Sequence, residues 1–263
     1  MVKKIDGIVI SERIKDEVAL GVFANKANRP NLAIILVGNR PDSKMYVSLK
    51  QRESVKVGID THLYSIDEDA PEKELIEVIE FLNSDPNIDG ILLQLPLPAS
   101  FDTDKIISII NPEKDVDGFH PNHPEHLLSP VLAAIGACLE EINFSGAGKK
   151  ACVLYNSEVF GKSVKDYLVS RKFTIITEQE SDEADLLVTA VGQPKKINNK
   201  MIKDGAILID IGITLVSGKT VGDLDWDSIS KKAAWATPVP GGIGPMTVAF
   251  LLKNTWEIFK RQN

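Results

Sequence analysis

Apolar residues recur in two rhythms along this chain. Residues 8–26 fall near helical spacing, with Ile10, Ile14, Val18, Leu20 and Phe23 as the expected apolar positions, and Pro30 ends the segment. Residues 32–37 are apolar without alternation, the pattern of a strand covered on both faces. The turn Gly38-Asn39-Arg40-Pro41-Asp42 then leads into a helix expected from Ser43 to about Val57. Asp42 or Ser43 is placed to cap its first free N–H, and Gly58 to stop it. A second strand is read over 62–66. A helix follows over 72–82, with Leu75, Val78, Ile79 and Leu82 on one side. A third strand, 89–98, runs into a proline-rich end, and a short helix over 105–110 closes at Asn111-Pro112.

The alternation pauses at an apolar helix over 131–142 and a hinge-like Ser145-Gly146-Ala147-Gly148, then resumes. Strands are expected at 151–155, 173–176, 185–192 and 206–212, with a helix at 161–169 and a last helix at 246–259. Strand alternating with helix implies parallel sheets joined by right-handed crossovers. In such sheets ligands lie beyond the carboxyl ends of the strands. The Ser43 helix start, Gln94 and the loop after Pro112 all fall at such ends.

Composition narrows the class. The chain has 263 residues, 43% hydrophobic and 25% charged, enough for one large domain or two of ordinary size. A net charge of −7 disfavours non-specific binding to nucleic acid or anionic membranes. The two cysteines stand in no CxxC spacing, which argues against a disulfide framework or a cysteine zinc site. No apolar run is long enough to span a membrane, and the start lacks a signal peptide's apolar segment. A cytoplasmic enzyme is the expected class.

Three constellations carry candidate chemistry. Tyr46 and Lys50 sit four apart on one helix face, a phenol and an amine able to grip a flat substrate and move a proton. The loop Lys114-Asp115-Val116-Asp117-Gly118-Phe119-His120-Pro121 holds two carboxylates able to accept paired donors from a ring such as an aminopyrimidinone, although Asp and Gly also simply favour turns. Three prolines and three glycines crowd Thr237-Pro238-Val239-Pro240-Gly241-Gly242-Ile243-Gly244-Pro245-Met246-Thr247, which fixes an unusual backbone path; Thr247 is placed to help cap the last helix. His120, His123 and His126 form HxxHxxH, but Pro121 and Pro124 keep them off one helix face, so no metal site is expected.

Four segments in order and spacing resemble one family. They are Tyr46-Val47-Ser48-Leu49-Lys50, Gln94-Leu95-Pro96-Leu97-Pro98, the Lys114 to Pro121 loop, and the segment from Pro238 to Thr247. The family is that of bifunctional methylenetetrahydrofolate dehydrogenase/methenyltetrahydrofolate cyclohydrolase, and the resemblance covers nearly the whole chain. It implies an α/β fold of two domains around a cleft. Residues 1–121 would form the folate-binding domain, completed by a C-terminal helix, 244–263, that returns to it. Residues 122–243 would form a Rossmann-type domain with a parallel sheet. The resemblance assigns Lys50 to proton transfer as water attacks the methenyl carbon, Gln94 to tuning that lysine, and Asp117 to holding the pterin. Tyr46 would stack on the folate, Ser43 would lie near the same pocket, and Pro240, Gly241 and Gly242 would lie against the substrate. It implies NADP as cofactor, a tetrahydrofolate derivative as substrate, and a homodimer.

The second domain departs from the family pattern. Where a Gly-Arg-Ser opens the family's phosphate loop, this chain reads Tyr155-Asn156-Ser157-Glu158-Val159-Phe160-Gly161-Lys162. Tyr155 replaces the glycine, Asn156 replaces the arginine that would meet the 2′-phosphate, and Glu158 adds a negative charge. A His-Ser-x-Thr segment after the second strand of that domain is missing. Ser157, Gly161, Lys162, Gly192 and Ile211 remain as cofactor-site positions. The expectation is therefore a cyclohydrolase with a degenerate phosphate loop, doubtful NADP-dependent oxidation, and NAD as an alternative cofactor. The rival reading is a non-catalytic folate-binding or scaffold member of the same family.

Overall fold

The computed structural model describes residues 1–25, 28–124 and 127–262, and the chain divides into two compact units. One comprises Ser11–Pro130 with Val248–Asn263, the other Met1–Ile10 with Val131–Thr247. In chain order the first elements are β1 (Lys3–Lys4), α1 (Gly7–Ala24), β2 (Asn31–Val37), α2 (Pro41–Lys56), β3 (Asp60–Ile66), α3 (Glu72–Ser84), β4 (Gly90–Leu93) and α4 (Thr103–Ile107). They continue with α5 (Pro130–Glu141), β5 (Lys150–Tyr155), α6 (Glu158–Ser170), β6 (Thr174–Ile176), a 3-10 turn (Glu178–Glu183), β7 (Leu186–Ala190) and β8 (Ile207–Asp210). The last are β9 (Thr214–Val216), β10 (Lys219–Val221), α7 (Trp226–Ile229), β11 (Trp235–Ala236) and α8 (Ile243–Gln262).

In the first unit, β3, β2 and β4 form a parallel sheet in that order. β2 explains its own lack of alternation. Leu32, Ile34 and Leu36 enter one cluster with Val18, Val22, Val248, Leu251 and Leu252. Ala33, Ile35 and Val37 enter another with Leu75, Ile79 and Leu82 of α3. Both faces are dry, so both sets of side chains are apolar. Val248, Leu251, Leu252 and Ile258 of α8 are part of the first cluster, which is the physical sense in which the last helix returns to the N-terminal half.

In the second unit, six parallel strands lie in the order β6-β5-β7-β8-β11-β1, beside an antiparallel β9–β10 hairpin. The first ten residues belong to this unit rather than with the rest of 1–121, because Lys3 and Lys4 pair with Trp235 and Ala236. β6 lies on one side of β5 and β7 on the other, so the order reverses at β5. This is the switch point at which doubly wound sheets open a crevice for a dinucleotide.

Several local expectations are corrected. Leu20 is 74% exposed and Phe23 56%, whereas Ile10, Ile14, Val18 and Val22 are buried. The α1 stripe thus runs at strict four-residue spacing. α2 begins at Pro41, which preorganises its first turn, so neither Asp42 nor Ser43 is the cap; Asp42 Oδ1 instead accepts from Ser43 N at 2.9 Å. β4 spans only Gly90–Leu93, and the polar Gln94 lies just beyond it. α6 starts at Glu158, capped by Ser157. α8 starts at Ile243, so Thr247 is inside it and its hydroxyl donates to Gly244 O at 2.7 Å. Cys138 and Cys152 are free, and burial pushes their thiols up to about 12 and about 11. No helix among the described residues is long and apolar enough to cross a membrane.

Candidate active site

The first unit gathers Lys50, Gln94 and Asp117 at the carboxyl end of its sheet. Lys50 is on α2, which follows β2; Gln94 directly follows β4; Asp117 is in the loop after α4. The Lys50 ammonium donates to Gln94 Oε1 at 3.0 Å. Gln94 Nε2 donates to Leu95 O at 2.7 Å, which fixes the amide so that its oxygen must face the lysine. Burial holds the Lys50 pKa below the ordinary lysine value, and the negative charge of Asp117 works against that shift. Asp117 is pushed up to about 6, first by burial, with Lys50 opposing and Asp115 adding like-charge repulsion. A lysine and a carboxylate are thus both drawn toward neutrality, as general acid–base chemistry near pH 7 requires.

Asp117 and Asp115 have separate tasks. Asp115 Oδ1 accepts from Asp117 N at 3.1 Å and Gly118 N at 3.0 Å, and its Oδ2 from His120 N at 2.8 Å. One buried carboxylate therefore folds the loop, with Gly118 at φ +70 making the turn. The Asp117 carboxylate accepts no hydrogen bond among the described residues and is left for a ligand. Lys114 anchors the loop to the end of α3, donating to Leu82 O at 3.1 Å and Asp85 O at 2.7 Å. Asn254 of α8 donates to Val116 O and Leu128 O, both at 3.0 Å. The division of labour between the two aspartates, and the anchoring by Lys114 and Asn254, were missed in sequence. The turn signal of Asp115-Val116-Asp117-Gly118 was the one hint.

The other substrate-site candidates fall in both units. Ser43 is buried in the first turn of α2, and Tyr46 is half-buried one turn before Lys50. Burial raises the Tyr46 phenol's pKa, with Asp42 adding to it. Pro240, Gly241 and Gly242 belong to the second unit, where Gly241 sits at φ +100 and an added Cβ on Gly242 would meet Pro238 O at 2.5 Å. His120 is engaged within its loop: its Nδ1 accepts from Asn122 N at 2.9 Å and its Nε2 lies 3.2 Å from Ser108 O. His123 Nδ1 lies 3.6 Å from Asp115 Oδ2. Among the described residues no three His, Cys, Asp or Glu side chains form a metal-binding group, and His126 lies outside those residues. A polar hollow lined by Asn28, Arg29, Asn31, Asp60, Asn87 and Asp89 lies at the amino ends of β2–β4, the end of the sheet away from Lys50. We place the chemistry at the carboxyl ends.

In the second unit the positions expected for a cofactor lie at the start of α6 and in the loops after β7 and β8. Ser157 caps α6, its hydroxyl accepting from Phe160 N at 3.5 Å. Gly161 lies under the Tyr155 ring, so that an added Cβ would collide with it. Gly192 follows β7 at φ +65, and Ile211 N donates to Thr189 O at 2.8 Å. Lys162 is paired with Asp166 at 2.8 Å and is 80% exposed. Sequence reasoning undervalued Asp223. Its buried carboxylate accepts from Thr189 Oγ1 at 2.9 Å, Val191 N at 2.9 Å and Gln193 N at 2.8 Å, and so shapes the loop that presents Gly192. Asp210, pushed up to about 7 mainly by burial, accepts from Gly212 N and Leu224 N, both at 3.0 Å. Strand order, the capped α6 and the open turn at Gly192 fit a dinucleotide, even though Tyr155-Asn156-Ser157 is not glycine-rich.

The sequence matches the description "Tetrahydrofolate dehydrogenase/cyclohydrolase, catalytic domain" over residues 5–117, and "Tetrahydrofolate dehydrogenase/cyclohydrolase, NAD(P)-binding domain" over 130–263. It is 41% identical over 277 residues to the "Bifunctional protein FolD" of a Nitratiruptor species, covering 98% of each chain. Its fold resembles that of the bifunctional methylenetetrahydrofolate dehydrogenase/cyclohydrolase of Campylobacter jejuni, with a TM-score of 0.95, 33% identity and 100% of each chain covered. It also resembles the Trypanosoma brucei enzyme complexed with NADP and inhibitor, with a TM-score of 0.92 and 30% identity over 99% of this chain and 98% of that one.

Proposed function

The chain belongs to the tetrahydrofolate dehydrogenase/cyclohydrolase family, and on that premise we propose that it works in one-carbon folate metabolism with Lys50, Gln94 and Asp117 at its hydrolytic centre. It is a methylenetetrahydrofolate dehydrogenase/methenyltetrahydrofolate cyclohydrolase. The match of the NAD(P)-binding description spans the altered loop, and relatives at this identity are bifunctional, so the doubt cast on the oxidation by residues 155–162 is corrected. The non-catalytic rival is not favoured.

The observation that carries the assignment is the Lys50–Gln94 hydrogen bond beside Asp117. In the hydrolysis, water adds to the bridge carbon of 5,10-methenyltetrahydrofolate and loses a proton to the neutral Lys50 amine. The C–N5 bond of the adduct then breaks as N5 takes a proton, leaving the formyl group on N10. The second proton of the water ends in solvent. Gln94 holds the amine in place through the step, Asp117 accepts the N–H donors of the pterin, and Tyr46 covers the ring beside Ser43.

For the oxidation, a nicotinamide dinucleotide would supply the hydride acceptor when bound; the Trypanosoma brucei relative is complexed with NADP. This chain's own part is to seat it, with Ser157 and Gly161 at the start of α6, Lys162 on the next turn, and Gly192 and Ile211 after β7 and β8. The expected assembly is a cytoplasmic homodimer joined through the second unit, which sedimentation of the purified chain tests.

Lys50→Ala tests the centre. Hydrolysis of the methenyl compound should fall roughly 10²–10⁴-fold, the usual contribution of a positioned acid–base group, with the thermal melt preserved. Undiminished hydrolysis would remove Lys50 from the mechanism.

A further inference from the structure

We propose that the dinucleotide site of this chain selects NAD(H) over NADP(H), with Glu178 as the carboxylate facing the adenosine ribose. The inference rests on the dehydrogenase reading above and concerns the one group that distinguishes the two cofactors, the 2′-phosphate.

In a sheet that reverses at its first strand, the pyrophosphate lies at the N-terminus of the helix after that strand, and the adenosine ribose lies toward the end of the next strand. Here those places are the start of α6 and the carboxyl end of β6. A carboxylate there accepts from the free ribose hydroxyls of NAD, whereas an arginine there accommodates the 2′-phosphate of NADP. Immediately after β6 this chain reads Thr177-Glu178-Gln179-Glu180.

The two glutamates differ in what they are free to do. Glu180 Oε2 accepts from Thr177 N at 3.1 Å and from Thr177 Oγ1 at 2.7 Å, so it is spent on closing the turn. That closure fixes the backbone on which Glu178 stands. Glu178 is exposed and makes no hydrogen bond among the described residues.

The cations nearby are already engaged. Lys165 donates to Tyr155 Oη at 2.8 Å and lies over that ring, 4.5 Å from its centroid. Lys162 pairs with Asp166 at 2.8 Å. Between Tyr155 and Glu183 the other cations, Arg171 and Lys172, lie past the C-terminal end of α6, away from the site. Glu158 adds a third carboxylate at the first turn of α6, where it accepts from Tyr155 Oη at 3.2 Å. A 2′-phosphate would therefore bring two negative charges to an edge that offers glutamates and, among the described residues from Tyr155 to Glu183, no unengaged cation beside them. At separations of about 6 Å and the effective dielectric of a protein surface, that repulsion amounts to at least about tenfold in affinity.

The experiment is equilibrium binding of NAD, NADP, 5′-AMP and adenosine 2′,5′-bisphosphate to the full chain, by titration calorimetry at fixed ionic strength. NAD should bind at least about tenfold tighter than NADP, and 5′-AMP tighter than the bisphosphate. Glu178→Gln should weaken NAD several-fold and strengthen NADP, so the ratio closes. Its exposed side chain carries no hydrogen bond, so an unchanged thermal melt is expected. NADP binding tighter than NAD, or a ratio that Glu178→Gln leaves unmoved, overturns the inference and leaves the dehydrogenase reading intact. Binding of none of the four, in a protein that still hydrolyses the methenyl compound, overturns that reading and this inference together.

Discussion

Replacing Gln94 tests the centre more sharply than removing Lys50, because it changes only what the lysine sees. The amide oxygen accepts from the ammonium at 3.0 Å, in surroundings that already disfavour the charged form. A hydrogen bond to a charged group is worth about 1.5–3 kcal/mol, and one to a neutral amine about 1 kcal/mol. Gln94→Leu therefore destabilises the ammonium relative to the amine by about 1–2 kcal/mol, which lowers the Lys50 pKa by roughly one unit. Lys50 acts as a base in its neutral form, so the rising limb of kcat/KM for methenyl hydrolysis moves to lower pH by about one unit. The looser lysine should also cost about tenfold at the plateau. Gln94→Glu places a negative charge opposite the same ammonium and moves the limb to higher pH. Both variants lose the bond from Gln94 Nε2 to Leu95 O, so that loss cannot produce shifts of opposite sign. The assay is hydrolysis across pH at low substrate, with thermal melts as the fold control. Limbs that coincide with the parent, or that move in the same direction in both variants, would refute the role given to the Lys50–Gln94 pair.

Asp117→Asn should trade activity for stability. The folded-state pKa of about 6 lies above the ordinary carboxyl value of 3.8, so the native state binds more protons between those values and stability falls as pH rises through that window. The full shift corresponds to about 3 kcal/mol; with Asp117 half-buried, and Lys50 losing a favourable neighbour, about 1 kcal/mol should be recovered above pH 6, and a melt at pH 8 no higher than the parent's would contradict this. Asp115→Ala strips the acceptor from three backbone N–H groups and should cost about 3 kcal/mol in urea unfolding while depressing folate binding; full binding with unchanged stability would show that the loop does not depend on it. Gly192→Ala meets open space, its nearest contact being Asn156 Nδ2 at 3.9 Å, so it should cost only the roughly 1 kcal/mol of forcing a side chain to φ +65, and a loss of several kcal/mol would point to a clash not visible at this position.

Much of this protein could be read from its residues in order. The unbroken apolar run of β2 required a sheet dry on both faces, and the strand–helix alternation required parallel pairing, since each is a local demand of burial and chain direction. Lys50 and Gln94 could be singled out because Lys50 shares a helix face with Tyr46 and Gln94 follows an apolar strand, and the resemblance of four segments in register pointed them to one chemistry. Other features depended on residues distant in sequence. Whether Leu20 or Val22 faces inward is decided by what α1 packs against, and near-helical spacing alone points to Leu20. Asp115 and Asp117 are the same residue type two positions apart, and only the folded loop assigns one to three backbone amides and leaves the other beside Lys50. The pairing of Lys3-Lys4 with Trp235-Ala236, and the grip of Asp223 on residues 189–193, join segments separated by many residues. Local periodicity was enough for the longer strands and helices and for parallel α/β sheets, because these are written in neighbouring residues, whereas the two-domain plan came from the resemblance and short elements such as β1 and the β9–β10 hairpin were not read. Tertiary structure decided which of the two carboxylates holds the loop, and that Lys162 and Lys165 are engaged, because hydrogen-bond partners and burial exist only once distant segments meet.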